Sequence, residues 1–372
     1  MKKSLIALAI ASAVSAPAFA ATANVDVYGR MAFSLDYVDT NNLVGDGADV
    51  VTGRDNVSRF GIKGTEDLGN GLAAIWQIET ALNTSTTGVG SLRNTFIGLS
   101  NKSLGTVILG RHDTPYKLAT GNLDIFADTA GDYNTIIGMT AGGVGGLGTS
   151  IYDNRAPQLV AYMSPTWTGF SFGAAYVETK NVEFANADNR QAISAMAKYV
   201  NGPIFASLAY ETFSGGIGGG SVASTAATTN PVATATFVNA KTEAYKAGLG
   251  VKLGALQLGA VYEMIDSEAA KNTASAANER DAYYMNAMYS IGAVDLKAAY
   301  GMAKDGESTA STEFDYYVVG ADYNLSKRTK LFGLYTSLAN GSGTALSQYT
   351  TGYTAEAGQD VEIVSMGVVH IF

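Results

Sequence analysis

The sequence predicts an all-β fold: a transmembrane antiparallel β-barrel of 16 strands, with short periplasmic turns at one rim and long external loops at the other. Three observations carry this. Runs of residues alternate between apolar and polar, the period of a strand with two unlike faces. Seven short connections rich in Gly, Asn, Asp, Ser and Pro alternate with longer polar stretches, so that turns and loops segregate. Finally, 47% of the residues are hydrophobic, yet nothing beyond the N-terminal leader approaches the ~18–20 consecutive apolar residues of a spanning helix.

Taken in order, the chain opens with "MKKSLIALAIASAVSAPAFA". Lys2 and Lys3 precede an apolar stretch from Leu5, and Ala18-Phe19-Ala20 is a small-x-small site. Residues 1–20 therefore read as a signal peptide cleaved between Ala20 and Ala21, and 21–372 as one barrel domain. The opening strand, "NVDVYGRMAFSLDYV", sets Val25, Val27, Gly29, Met31, Phe33, Leu35 and Tyr37 on one face. Asp26, Tyr28, Arg30, Ala32, Ser34 and Asp36 lie on the other. Turns follow at 66–71, 100–105, 164–169, 201–203, 253–255, 291–294 and 325–329, each flanked by alternating runs. Those seven hairpins supply fourteen strands, and the opening strand and the closing "VEIVSMGVVHIF" complete the count. Loops occupy roughly 39–56, 81–92, 112–154, 178–191, 212–242, 266–280, 303–313 and 338–360. In lipid every backbone polar group must be paired within the protein, so a closed barrel is required and its apolar face points outward.

Composition excludes several functions. A net charge of −9, more negative once Lys2 and Lys3 are removed, is the wrong sign for a nucleic-acid partner. With 0 Cys there is neither a disulfide framework nor a thiolate metal site. "GVGGLG" at 143–148 matches a dinucleotide fingerprint but lacks the following helix and reads as loop. Of the 2 histidines, His370 lies on the outward face and His112 beside Asp113 is a polar loop residue, so no catalytic set is assembled and no enzyme is expected. Loop acids such as Asp46 and Asp49 suit solvation better than metal binding, and no metal or cofactor is expected.

"VDVYGR", "SRFGIKGTEDLGNGL", "RNTFIGLSNKSLGTVILGR", "GADYNLSKRT" and the terminal "HIF" resemble the Gram-negative general porins, and the matches run from the first strand to the last. The resemblance implies a homotrimeric outer-membrane channel, in contact with lipid and lipopolysaccharide, for passive diffusion of small hydrophilic solutes and ions. It further implies that the third loop, within 112–154, folds into the lumen and sets its acids against a row of arginines. Carried over by position, Arg30, Arg59, Arg93 and Arg155 form the basic wall. Asp113, Asp124, Asp128 and Asp132 are the candidate opposing acids. This loop departs from the family in lacking a Pro-Glu-Phe-Gly-Gly turn. Phe372 matches the C-terminal aromatic read by the barrel-assembly machinery. Three loop acids against four arginines, within a diffuse acidic field, lead to an expected weak cation preference. A solute-specific channel, or an adhesive barrel binding through its loops, are the alternatives.

Overall fold

The computed structural model describes residues 24–39, 50–84, 89–138, 152–178, 191–214, 241–267, 279–305, 313–342 and 358–372. The signal peptide and the cleavage position at Ala20 and Ala21 lie outside them.

Strand segments run β1 (Asn24–Asp39), β2 (Val50–Asp55), β3 (Arg59–Gly69), β4 (Leu72–Leu82), β5 (Val89–Leu92), β6 (Thr95–Asn101) and β7 (Gly105–Asp113). After the lumenal loop come β8 (Arg155–Met163), β9 (Phe170–Glu178), β10 (Gln191–Asn201), β11 (Ile204–Ser214), β12 (Thr242–Leu253) and β13 (Leu256–Ser267). The wall finishes with β14 (Glu279–Ile291), β15 (Val294–Asp305), β16 (Phe314–Asn324), β17 (Thr329–Asn340) and β18 (Val361–Ile371). Both β2 and β3 pair with β1, and both β5 and β6 pair with β4, so each duo is one wall strand with an interruption. The wall is therefore the expected 16-stranded antiparallel barrel.

Closure comes from β1 and β18, in register from Arg30 opposite Ile371 to Asp39 opposite Glu362. The seam ends where Gly29 and Phe372 exchange backbone hydrogen bonds of 3.0 Å each. Only glycine fits at 29: a Cβ there would stand 2.3 Å from the Phe372 ring, which covers the bare backbone from outside. At the turn rim Asn70 (φ 52°) and Gly71 (φ 75°) are both left-handed, the geometry of the Asn-Gly hairpin turn that matches strand twist.

The face assignment follows the alternation. Leu35 is 59% exposed while its neighbours Ser34 and Asp36 are buried. A barrel bathed in water would strand Leu208, Leu249 and Met366 in solvent, whereas hydrocarbon accommodates them. Tilted tyrosine pairs, Tyr210 with Tyr245, Tyr262 with Tyr283 and Tyr300 with Tyr317, lie toward the loop rim on this outer face. Phe170 with Tyr199 and Trp167 with Phe172 stand at the turn rim. These are the two interfacial belts of a membrane barrel.

Inward does not mean wetted. Asp36 is sealed by Arg54 and Ser365, and the wall from β13 to β18 presents an apolar surface. The segment after β7 folds over that surface, burying Leu123, Phe126, Ile136 and Ile137 against Val261, Tyr284 and Val318.

Candidate functional site

The lumenal segment begins at Thr114, whose hydroxyl accepts from the Lys117 N–H and caps α1 (Pro115–Thr120), with Pro115 in the first turn where no backbone donor is needed. The wall holds its backbone by side chains. Asn286 donates to the Leu123 carbonyl (2.7 Å), Lys297 to Ile125 (3.1 Å), Tyr316 to Ala130 and Asp132 (3.3 Å each), and Arg280 to Ile136 (2.6 Å). Glu263 accepts from the Gly138 N–H and the Tyr116 hydroxyl. Lys246 pairs with Asp153 where the chain leaves the lumen, and Tyr133 donates to the same carboxylate. Helix dipoles and packing alone would leave those loop carbonyls unpaired, so the buried donors decide where the segment lies.

At its tip the chain turns sharply. The Thr129 N–H and hydroxyl both donate to the Phe126 carbonyl, and Asp128 takes a left-handed backbone (φ 59°) that aims its carboxylate across the lumen. There it meets Arg59 at 2.9 Å and Arg30 at 3.7 Å. Burial opposes ionisation of Asp128, but the two guanidinium groups outweigh it and hold its carboxyl below the usual aspartate range. Arg30 is itself fixed by the interruption between β2 and β3, donating to the carbonyls of Asn56 and Val57. That interruption is tied down by Asn56 donating to Ser34 and by Ser58 bonding to the backbone of Ala32.

Arg93 sits in the second interruption, between β5 and β6, and its Nε donates to Glu79 at 2.7 Å. Glu79 also accepts from the Tyr28 hydroxyl. Arg155 donates to Asn94 (2.7 Å) and pairs with Asp113 (3.1 Å), and Lys117 approaches the same carboxylate at 3.5 Å. A cleft of about 260 Å³ lies among these groups, lined by Arg59, Arg93, Arg155, Lys117, Asp113 and Asp128.

Three of the four arginines named from the sequence, Arg59, Arg93 and Arg155, thus line one gap with Asp113 and Asp128, and Arg30 stands buried behind it, meeting Asp128. Asp124 and Asp132 border the gap but serve the loop's own backbone. Asp124 accepts from the N–H groups of Phe126 (2.9 Å) and Tyr133 (3.2 Å), Asp132 from those of Asn134 and Asp128 (2.8 Å each). Burial pushes the Asp132 carboxyl up to about 6. Burial and the nearby Asp132 push Asp124 up as well. Glu79, Asn94 and Lys117 are functional neighbours that sequence reasoning missed. Lys117 was within reach, four residues after Asp113, but Glu79 reaches Arg93 only through the β4–β5 pairing.

A family model described as Gram-negative porin matches residues 7–343. An outer membrane porin protein of Bordetella pertussis is 34% identical over 57% of this chain and 59% of its own length. Outer membrane porin protein 32 of Delftia acidovorans is 28% identical over 100% of both chains. Among solved structures, an anion-selective porin from Comamonas acidovorans superposes with a TM-score of 0.78 at 23% identity, covering 94% of this chain and 100% of its own. The trimer form of OmpT from Vibrio cholerae gives 0.64 at 15% identity over 94% and 99%.

Proposed function

This chain belongs to the Gram-negative porin family and is an outer-membrane channel rather than an enzyme, and from that premise we propose that it passes small hydrophilic solutes and ions by passive diffusion, with a preference for anions. The observation that carries the preference is the charge balance of the constriction. Five cationic side chains (Arg30, Arg59, Arg93, Arg155 and Lys117) gather there against three acids turned toward them (Asp113, Asp128 and Glu79), while Asp124 and Asp132 are committed to loop N–H groups. The weak cation preference expected from the sequence counted Asp124, Asp128 and Asp132 equally against the arginines, whereas Asp124 and Asp132 border the gap with their oxygens on loop N–H groups and with carboxyls pushed up by burial. The diffuse negative charge of the chain acts from farther away and is screened beyond ~10 Å at 0.1 M salt. The Comamonas neighbour is called anion-selective, but at 23% identity the argument rests on the charges described above.

The same reading takes the working form as a homotrimer in outer-membrane lipid and lipopolysaccharide. It takes residues 1–20 as an export signal, and Phe372, at the closing seam beside Gly29, as the residue the assembly machinery reads. Reversal potentials of the purified protein in planar bilayers under a KCl gradient test the selectivity. A chloride-preferring potential is expected, and a potassium-preferring one at 0.1 M salt and above overturns it.

A further inference from the structure

Lys297 lies on β15, on the wall that backs the lumenal segment, and touches no residue of the arginine row. Its ammonium is nevertheless held against the tip of the loop by two contacts and on the wall by a third. It donates to the Ile125 carbonyl at 3.1 Å, stands 4.5 Å from the centroid of the Phe126 ring, and pairs with Asp322 at 2.9 Å. Asp322 is braced from the other side by Lys330 at 2.6 Å. The Phe126 ring is buried over Gly320 and Gly131, where a Cβ would come within 3.1 Å of it, so the ring has a fitted seat with the ammonium on its face. From that seat the chain makes the tight turn closed by Thr129 onto the Phe126 carbonyl, and two residues after Phe126 stands Asp128, the one loop acid that meets both Arg30 and Arg59.

We propose that Lys297 is a positioning residue for ion selectivity: clamping the carbonyl of Ile125 and the ring of Phe126, it holds the Asp128 carboxylate on Arg30 and Arg59 and so sets how much of their positive charge the permeating ion meets. Local hydrogen bonds shape the turn, Thr129 onto the Phe126 carbonyl and the Asp128 N–H onto Asp132, but they do not fix where that turn stands in the lumen. The clamp supplies the constraint from 172 residues away. A lysine suits this post because its ammonium serves a carbonyl, a carboxylate and an aromatic face at once.

The proposal makes a prediction opposite in sign to a plain charge count. Lys297→Met removes a positive charge from the lumen wall, which by itself would weaken a preference for anions. If Lys297 acts through Asp128, the released carboxylate uncovers Arg30 and Arg59 and the preference for anions rises, by about twofold in the chloride-to-potassium permeability ratio. That is the change expected when roughly one unit charge is uncovered ~10 Å from the ion path at 0.1 M salt, its opposite effects on anion and cation adding and screening reducing both. The test rests on the channel reading, but it compares variants with wild type, so it stands whichever ion the wild type prefers.

The measurement is the reversal potential of full-length protein in planar bilayers, for Lys297→Met, Lys297→Arg, Asp128→Asn and the Lys297→Met/Asp128→Asn double variant, with heat-modifiable mobility reporting a folded barrel. Lys297→Met is expected to move the potential toward anions, Lys297→Arg to restore it, and the shift toward anions to vanish in the Asp128→Asn background. A shift toward cations of equal size in both backgrounds, or no shift, overturns the proposal. If Lys297→Met yields no folded barrel, Phe126→Leu, which loosens the same seat without changing charge, decides: a move toward anions supports the clamp and an unchanged potential refutes it.

Discussion

Raising the pH from 5 to 8 should lower the preference for anions, and Asp132 is the group responsible. Its carboxyl is buried in the lumenal loop beside the constriction and is pushed up to about 6 from an ordinary value of 3.8, burial being the main cause. A carboxyl with a raised pKa in the folded chain favours its neutral form there. The associated stabilisation of the loop is fully present below 3.8 and is lost as pH rises through about 6. At pH 5 the group is roughly one-tenth ionised and at pH 8 almost wholly ionised, so close to one negative charge appears at the rim of the gap. One unit charge ~10 Å from the ion path in water-like surroundings shifts each ion by about 0.4 kcal/mol with opposite signs for chloride and potassium, and screening at 0.1 M salt reduces the difference to about 0.3 kcal/mol, close to a twofold fall in the chloride-to-potassium permeability ratio. Asp124 is pushed up as well, by burial and by the nearby Asp132. Asp128 stays ionised throughout because Arg59 and Arg30 hold its carboxyl low. The assay is the reversal potential in a KCl gradient with both chambers at the same pH, stepped from 5 to 8, for wild type and Asp132→Asn. Superimposable curves would refute the assignment.

Asp128→Asn uncovers two guanidinium groups and should raise the chloride-to-potassium ratio by about twofold or more at 0.1 M salt, with a smaller effect at 1 M as screening shortens. An unchanged reversal potential would show that Asp128 does not face the ion path. A cysteine at Lys117 should react with a membrane-impermeant maleimide in intact membranes and reduce conductance, whereas one at the lipid-facing Leu35 should remain protected; equal labelling would put the face assignment in error. Deleting Phe372 removes both hydrogen bonds to Gly29 at the seam and should cut the amount of heat-modifiable barrel in the outer membrane while export continues, a result checked by fractionation against wild type. Normal levels of folded deletion protein would exclude the seam and assembly role together.

Much of the site was already visible before any three-dimensional contact was known. Strand periodicity puts Arg30 and Arg59 on the lumen side, because alternation is a property of consecutive residues and survives whatever the strand pairs with, while Arg93 reaches the lumen from an interruption between β5 and β6. Glycine, asparagine and proline mark the turns for equally local reasons, as Asn70 and Gly71 illustrate with their left-handed backbones. The acids of the lumenal loop are another matter. Asp124, Asp128 and Asp132 are spaced four apart and look alike in the sequence, yet two cap backbone N–H groups and one crosses the lumen.

What the sequence by itself determined is therefore the part governed by short-range stereochemistry: the strand count, which face meets lipid, where the chain turns, and which wall is basic. What only the tertiary structure decided is which acids answer that wall. Asp128 reaches Arg59 across 69 residues, Lys297 reaches Ile125 across 172, and Glu79 meets Arg93 only because two strand segments lie side by side. The loop has no repeating pattern to reveal such partners. Its path is set by buried donors on distant strands, each placed by closure of the whole barrel, and a carboxylate's role follows from whether those donors leave it facing the lumen or its own backbone.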